Sequence, residues 1–324
     1  MLLLVKRDEY QIFVTMMYDS LVLILTNEYD PNINFLKVIS PELKITSRGE
    51  DYGIPFVRGN FRNIKVRITK SKIKIEGSIH VFCKGNNLEP MGFHEFIGAM
   101  NLLEQMLQLP IEYARVSRLD FSGNMLMKQP IEAYFSYFGQ KSRFRKQVMD
   151  NGIMYLSEEL GLIFYDKIKS QKLKRELIPE YFKEKNVLRF EMRFMRKLGK
   201  SFQVPELTAK MLKERAFFNQ LCQKWRQEFK SVAMEMVSQT GLNPTGSKPK
   251  LLEELALLQI HQIGIDSFLN EISSWQSINE ITKKEAYEIR KFIKEKAAEK
   301  YPLAENELIQ ELNQKIKVAA RFEA

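Results

Sequence analysis

The sequence predicts an α+β protein: a mainly antiparallel sheet domain followed by a helical C-terminal module. Three observations lead there. Before about residue 205 the chain is dominated by short runs in which apolar and polar side chains alternate, the period of half-buried strands. After that point the apolar spacing becomes helical. The strand runs are joined by turn-forming residues and not by the regular helical crossovers of a parallel sheet.

Taken in order, MYDSLVLILT (17–26) is a β-rich run, and NIKVRITKSKIKIEGSIHVFC (63–83) alternates as an antiparallel pair would, with turn chemistry in KGNN (84–87). GFHEFIGAMNLLEQMLQL (92–109) has helical spacing and stops at Pro110. YARVSRLDFSGN (113–124) returns to alternation, and PIEAYFSYFG (130–139) reads as a short helix opened by Pro130 and closed by Gly139. GIMYLSEELGLIFYDKIK (152–169) reads as two strands around a tight turn, and VLRFEMRFMR (187–196) as another strand. These runs place a sheet domain at 17–205, a helical bridge and loop at 206–249 and a helical module at 250–324, with 1–16 as an N-terminal extension.

Composition excludes several classes. The 324 residues are 44% hydrophobic, which suits a folded chain and not a disordered one. Cys83 and Cys222 are too few for a disulfide scaffold, so a reducing cytoplasmic setting is expected. His80, His94 and His261 are too scattered for a zinc site built on paired histidines. The opening MLLLVKRDEY is too short in apolar residues for a secretory signal, and LVLIL (21–25) is far short of a membrane span, so no membrane association is expected.

The net charge is +10, and residues 141–200 hold +8 of it, with 16 basic against 8 acidic side chains. Aromatics are interleaved in RFRK, FYDKIK, YFKEK and RFEMRFMRK. Phosphate-tracking cations beside rings that can stack on bases favour a nucleic-acid partner over a merely solvated surface.

There is no phosphate-binding loop, dinucleotide fingerprint, zincin motif or nucleophile elbow. Polar residues on the strands remain. Arg118 and Asp120 share one face of their strand, Tyr165 and Lys167 share a face of theirs, and Arg189, Glu191 and Arg193 share a face of the last. If the strands lie in one sheet, these side chains meet. Carboxylates such as Asp120 and Glu191 can hold a hard divalent cation, a tyrosine can attack phosphorus, and arginines and a lysine can offset phosphate charge. Solvent-facing cross-strand ion pairs would use the same residue types.

MYDSLVLIL, SIHVFCKGNN, VSRLDFSGNM, LIFYDKIK and VLRFEMRF, in this order over roughly residues 17–200, resemble the plasmid and phage replication initiators of the gene II/X family. The resemblance implies rolling-circle replication: a tyrosine nicks one strand at the double-strand origin, stays linked to the 5′ phosphate, and the ends are later rejoined, with Mg²⁺ or Mn²⁺ and without ATP. It implies Tyr165 and Lys167 as catalytic residues, Asp120 and Glu191 as metal ligands, and Arg118, Arg189 and Arg193 as phosphate contacts. Lys169, Arg143 and Arg145 in the basic stretch join the DNA-contacting set, and His80 is at most a single metal ligand. The implied fold is a divergent relative of the His-hydrophobic-His endonucleases, although that histidine pair is absent here. Many relatives carry a glutamate five residues after the tyrosine, where this chain has Ser170; either Glu176 or Asp166 replaces it, or that glutamate is not essential.

The same chemistry would serve a mobilisation relaxase or a single-strand transposase. The reading of a different class is a non-catalytic origin-binding regulator, with Ser170 in its favour. DNA, as duplex origin and single-stranded nick site, is the expected partner, and the C-terminal helices could recognise origin duplex, recruit a host helicase or form a homodimer.

Overall fold

The computed structural model describes residues 14–232, 265–298 and 307–319. Its centre is a long strand, β1 (Val14–Thr26), whose LVLIL run is buried except at half-buried Ile24. It is flanked by β5 (Lys72–Ser78) and β6 (Arg115–Met127), both antiparallel. With β2 (Lys44–Asp51), β3 (Ile54–Phe61), β4 (Ile64–Ile68), β7 (Arg145–Met149), β8 (Gly152–Leu156), β9 (Leu160–Asp166) and β10 (Asn186–Phe194), they form one antiparallel sheet. The strand order is β2-β3-β4-β5-β1-β6-β10-β9-β8-β7.

One face of the sheet carries the main core. Alternation sends Tyr18, Leu21 and Leu23 of β1, Leu119 and Phe121 of β6, and Phe190 and Met192 of β10 to that side. Helix α2 (Phe93–Leu107) covers it with Phe96, Met100 and Leu103; its N-terminus is closed by the Glu95 carboxylate, which accepts from the Gly92 N–H at 2.8 Å. Helix α7 (Arg215–Lys230) lies on the same face, and its Trp225 Nε1 donates to the Phe190 carbonyl at 3.1 Å. Gly123 permits this contact, since a Cβ there would meet Trp225 Cζ2 at 2.8 Å. Short helices α3 (Glu132–Phe135), α5 (Leu198–Phe202) and α6 (Ala209–Leu212) fill the margins.

Two expected strands stop early. The alternation from 63 to 83 holds through β4 and β5, but Ile79–Lys84 forms helix α1. The Ser78 hydroxyl accepts from the Val81 N–H at 3.1 Å, and Gly85 ends the helix at φ 76°. His80 therefore sits on a helix and not on a strand. Likewise β9 ends at Asp166, whose carboxylate accepts from the Lys169 N–H at 2.9 Å and opens helix α4 (Lys167–Lys174). In both places a side-chain cap outweighs a strand-like pattern.

The expected bridge is part of the sheet domain, because Phe218, Leu221, Trp225 and Phe229 of α7 are buried in its core. Residues 233–250, including the expected loop, lie outside the described residues, as do 1–13 of the expected extension; β1 itself begins at Val14. Of the C-terminal module, α8 (Ile265–Ser277) and α9 (Lys283–Ala298) pair around Ile272, Ala286 and Ile293. Helix α10 (Glu307–Ala319) instead docks on the sheet domain. Its Leu312 and Ile316 enter the main core, and buried Glu311 accepts from the Tyr134 hydroxyl at 2.5 Å and the Lys128 N–H at 3.0 Å.

Candidate active site

The face of the sheet opposite α2 and α7 holds the predicted polar side chains, as alternation requires. Pairing of β10 with β6 sets Arg193 opposite Asp120 and Arg189 opposite Asn124, while pairing with β9 sets Arg189 opposite Tyr165. The register between β1 and β6 slips between Tyr18/Phe121 and Leu21/Leu119, leaving Asp19 and Ser20 in a bulge across from Asp120. A bulge re-aims the side chains it carries, and this one turns Asp19 into the site. Asp19, Asp120, Tyr165, Lys167, Glu191 and Arg193 all border one open cavity of about 430 Å³.

Two ion clusters organise it. In the deeper one Arg189, fully buried, donates from Nη2 to Asp19 at 2.6 Å and from Nη1 to the Asn87 carbonyl and Asn124 Oδ1, both at 3.1 Å. Asp19 also accepts from the Ser78 hydroxyl at 2.6 Å. Burial alone would raise the Asp19 carboxyl, but Arg189 and Ser78 hold it well below the usual carboxylate range. In the outer cluster Arg193 bridges the two acids, at 3.3 Å from Asp120 and 2.7 Å from Glu191, and Arg118 forks onto Asp120 at 2.9 and 2.5 Å. Burial, helped by the charge of Glu191, nevertheless pushes the Asp120 carboxyl up to about 6.

Tyr165 donates its hydroxyl toward Glu191 at 3.4 Å. Burial raises its pKa, with Glu191 and Asp19 adding to the rise and Arg189 opposing it. Gly152 stands opposite Tyr165 in β8, where a Cβ would meet the Phe164 carbonyl oxygen at 2.2 Å, so the tyrosine backbone is held against a strand that admits no side chain there. Lys167 is the first residue of α4, not a strand neighbour of Tyr165, yet it lines the same cavity. Its ammonium makes no hydrogen bond or ion pair with the described residues, and burial beside Arg189 pushes its pKa down to about 7.

The structure thus brings together Asp120, Glu191, Tyr165, Lys167, Arg118 and Arg193. Two expectations change, those for Arg189 and His80. Arg189 has no exposed surface and directs Nη1 and Nη2 at Asp19, Asn87 and Asn124, with its Nε 3.7 Å from Glu191, so it organises the site from beneath and presents no surface to a strand in the cavity. His80 is buried on α1, its ring pushed down to about 4 by burial, and it does not join the two acids: among the described residues, no group of three or more His, Cys, Asp or Glu side chains is arranged to hold a metal. Lys169 points to the rim, ion-paired with Glu132 at 3.3 Å. Arg143 and Arg145 are exposed outside the cavity, although Arg145 shares the row of Leu156, Gly161, Arg193 and Asp120 across the sheet.

Of the acids offered in place of the missing glutamate, Glu176 borders the cavity beside Ser170, whereas Asp166 is engaged as the α4 cap. Tyr155 is buried on the opposite face, donating to the Gly139 carbonyl at 2.7 Å, and is no candidate nucleophile. Sequence reasoning missed Asp19, Ser78, Asn87 and Asn124. Asp19 had a signal: a lone acid inside an apolar strand is buried only with a partner.

Asp120 and Glu191 suit a magnesium-type ion, which keeps several waters and takes one or two carboxylates. Their crowding in a poorly solvated place, evident in the raised Asp120 carboxyl, is what a cation would relieve.

The family described as the N-terminal part of the phage gene II replication-associated protein matches residues 17–225. The chain belongs to this family of phage replication-associated proteins. A gene II-like replication initiator is therefore the class of protein to which this cavity belongs, and DNA is its partner at the level of the family. The match reaches into α7, in keeping with the packing of that helix on the sheet. A comparison with curated proteins finds no match. No helix among the described residues is long and apolar enough to cross a membrane.

Proposed function

We propose that this gene II-family initiator nicks and rejoins one DNA strand through a covalent link between Tyr165 and a 5′ phosphate, so starting rolling-circle replication. The observation that carries the reading is the Tyr165 hydroxyl held 3.4 Å from Glu191 in a cavity walled by Arg118, Arg193 and Lys167.

In the nicking step Tyr165 Oη bonds to phosphorus and the bond from phosphorus to the 3′ oxygen breaks. The tyrosine proton passes toward Glu191, the nearest acceptor. Lys167, whose pKa of about 7 lets it give or take a proton at neutral pH, protonates the leaving 3′ oxygen. Arg118 and Arg193 have about a third of their side chains exposed and can turn from Asp120 and Glu191 to the non-bridging oxygens. Asp120 and Glu191 would hold Mg²⁺ or Mn²⁺, which supplies Lewis-acid polarisation of the phosphate. Rejoining reverses the proton path, with a 3′ hydroxyl attacking the phosphotyrosine. A distant relation to the His-hydrophobic-His endonucleases is part of this reading, supported by Asp120, Glu191 and Tyr165 on one open face of an antiparallel sheet.

The test is peptide mass spectrometry of the full chain after incubation with Mn²⁺ and a single-stranded oligonucleotide from the origin of the element that encodes it. A nucleotide on the Tyr165 peptide, absent in Tyr165→Phe although DNA still binds, is expected. An adduct on exposed Tyr181 overturns the site, and tight origin binding with no adduct overturns the reaction in favour of a non-catalytic regulator.

A further inference from the structure

The active-site face continues past β1 onto β5, β4 and β3, where described helices no longer cover it. Most of the charged outward residues there are basic: Arg58 of β3, Lys65 and Arg67 of β4, and Lys72 and Lys74 of β5 have substantial solvent exposure, with the Arg58 and Arg67 guanidiniums over the Phe56 ring, while Val57, Ile64, Val66, Ile73 and Ile75 are buried on the other side. Register aligns Arg58 with Arg67 and Arg67 with Lys74, so these cations form one row across the strands, beside a second in which Lys65 faces Glu76. Neighbouring strands are about 4.8 Å apart, so the first row spans roughly 10 Å from β5 to β3. The acids on this surface, Asp51 and Glu76, are fewer, and their pairs with Arg58, Arg67 and Lys74 are exposed and weak.

This surface joins the cavity. A narrower groove of about 180 Å³, bordered by Ser20, Asn63, Lys65, Glu76 and Arg118, shares Ser20 and Arg118 with it. Since Arg118 also grips Asp120, a strand whose phosphate lies at Tyr165 has a cationic path leading over β1 onto the sheet.

We propose that the outer face of β3, β4 and β5 is a second DNA-binding surface that holds the single-stranded segment adjoining the scissile phosphate. The proposal rests on the nicking reading for its direction. Its charge complementarity is to a polyphosphate, and it is continuous with the cavity that holds the scissile strand, so the segment it receives is the single strand adjoining that phosphate. This region lies outside the basic stretch of 141–200, so its recognition depends on tertiary register and not on local charge density.

The test measures binding of fluorescein-labelled oligo-dT of increasing length to the full chain, against the variant K65Q/R67Q/K74Q, across a salt series. Losing three phosphate contacts should reduce the slope of log affinity against log salt by about 2, at roughly 0.7 per contact on a single strand. The variant should also stop gaining affinity at a shorter length than the parent. Equal slopes and equal length dependence overturn the proposal, and so does a variant that loses a hairpin duplex while keeping oligo-dT. Lys65→Gln alone, which breaks no ion pair among the described residues, replaces the triple variant if its melting temperature is lowered, and should reduce the slope by about 0.7. The Tyr165 adduct is scored on the same preparations. An adduct with unchanged slopes removes the surface alone, and altered slopes with no adduct remove the nicking reading and leave the surface.

Discussion

Replacing Asp19 by asparagine isolates the deeper of the two ion clusters. The change is nearly isosteric, but it leaves Arg189, with no exposed surface, facing neutral acceptors on Asn87 and Asn124 and a Glu191 carboxylate 3.7 Å from its Nε. Removing one member of a buried ion pair costs about 3–5 kcal/mol because the other charge stays desolvated. At about 1.4 kcal/mol per factor of ten, the unfolding constant should rise by roughly two to four orders of magnitude. With a urea slope of about 3 kcal/mol/M, the midpoint followed by circular dichroism should fall by at least about 1 M. Asp19→Asn combined with Arg189→Met should recover much of the loss, since an apolar replacement of both partners leaves no orphan charge.

The same cluster has a pH signature. The Asp19 carboxyl is depressed in the folded state, so its contribution is fully present above the unfolded carboxylate value of about 3.9 and is lost as pH falls below it. Asp19→Asn should flatten that acid limb. A loss below about 1 kcal/mol, the range of an exposed pair, or an unchanged acid limb refutes the assignment of Asp19 and Arg189 as a buried structural pair.

Other outcomes follow from neighbouring contacts. Lys167→Met should abolish cleavage yet stabilise the fold by on the order of 2–4 kcal/mol at about pH 6, because the folded pKa of this lysine is lowered to about 7 and its protonation opposes folding; thermal melts should show the gain shrinking as pH rises toward about 10. Gly152→Ala should cost about 1–3 kcal/mol and slow adduct formation, since its methyl would displace the backbone of Tyr165; equal adduct rates would show that the close strand contact does not position the tyrosine. Trp225→Ala, on the far face, should cost about 3–5 kcal/mol by denaturant titration, and a smaller cost would mean that α7 is dispensable to the sheet.

Much of the site was legible in one dimension. In RVSRLDFSG and LRFEMRF the alternation already assigned Arg118, Asp120, Glu191 and Arg193 to the faces they occupy, because the two-residue period of a strand is local geometry. The hairpin of β8 and β9 was legible for the same reason. The edge hairpin of β2 and β3 was not, since β2 is exposed almost throughout and so carries no burial pattern to read. Helices α1 and α4 were hidden in strand-like stretches because one capping oxygen, from Ser78 or Asp166, decided each.

What the sequence by itself determined is the chemistry available: the residue types, the face each strand residue takes, the concentration of positive charge in 141–200, and the motifs that mark the family. Only the tertiary structure decided which of these groups meet. It took Arg189 from the expected phosphate contacts and paired it with Asp19, brought Lys167 into the cavity from a helix start, and set His80 apart from the acids. Those outcomes depend on strand order, on one bulge opposite Asp120, and on which charges are denied water. All three are properties of residues far apart in the chain, and no local pattern encodes them.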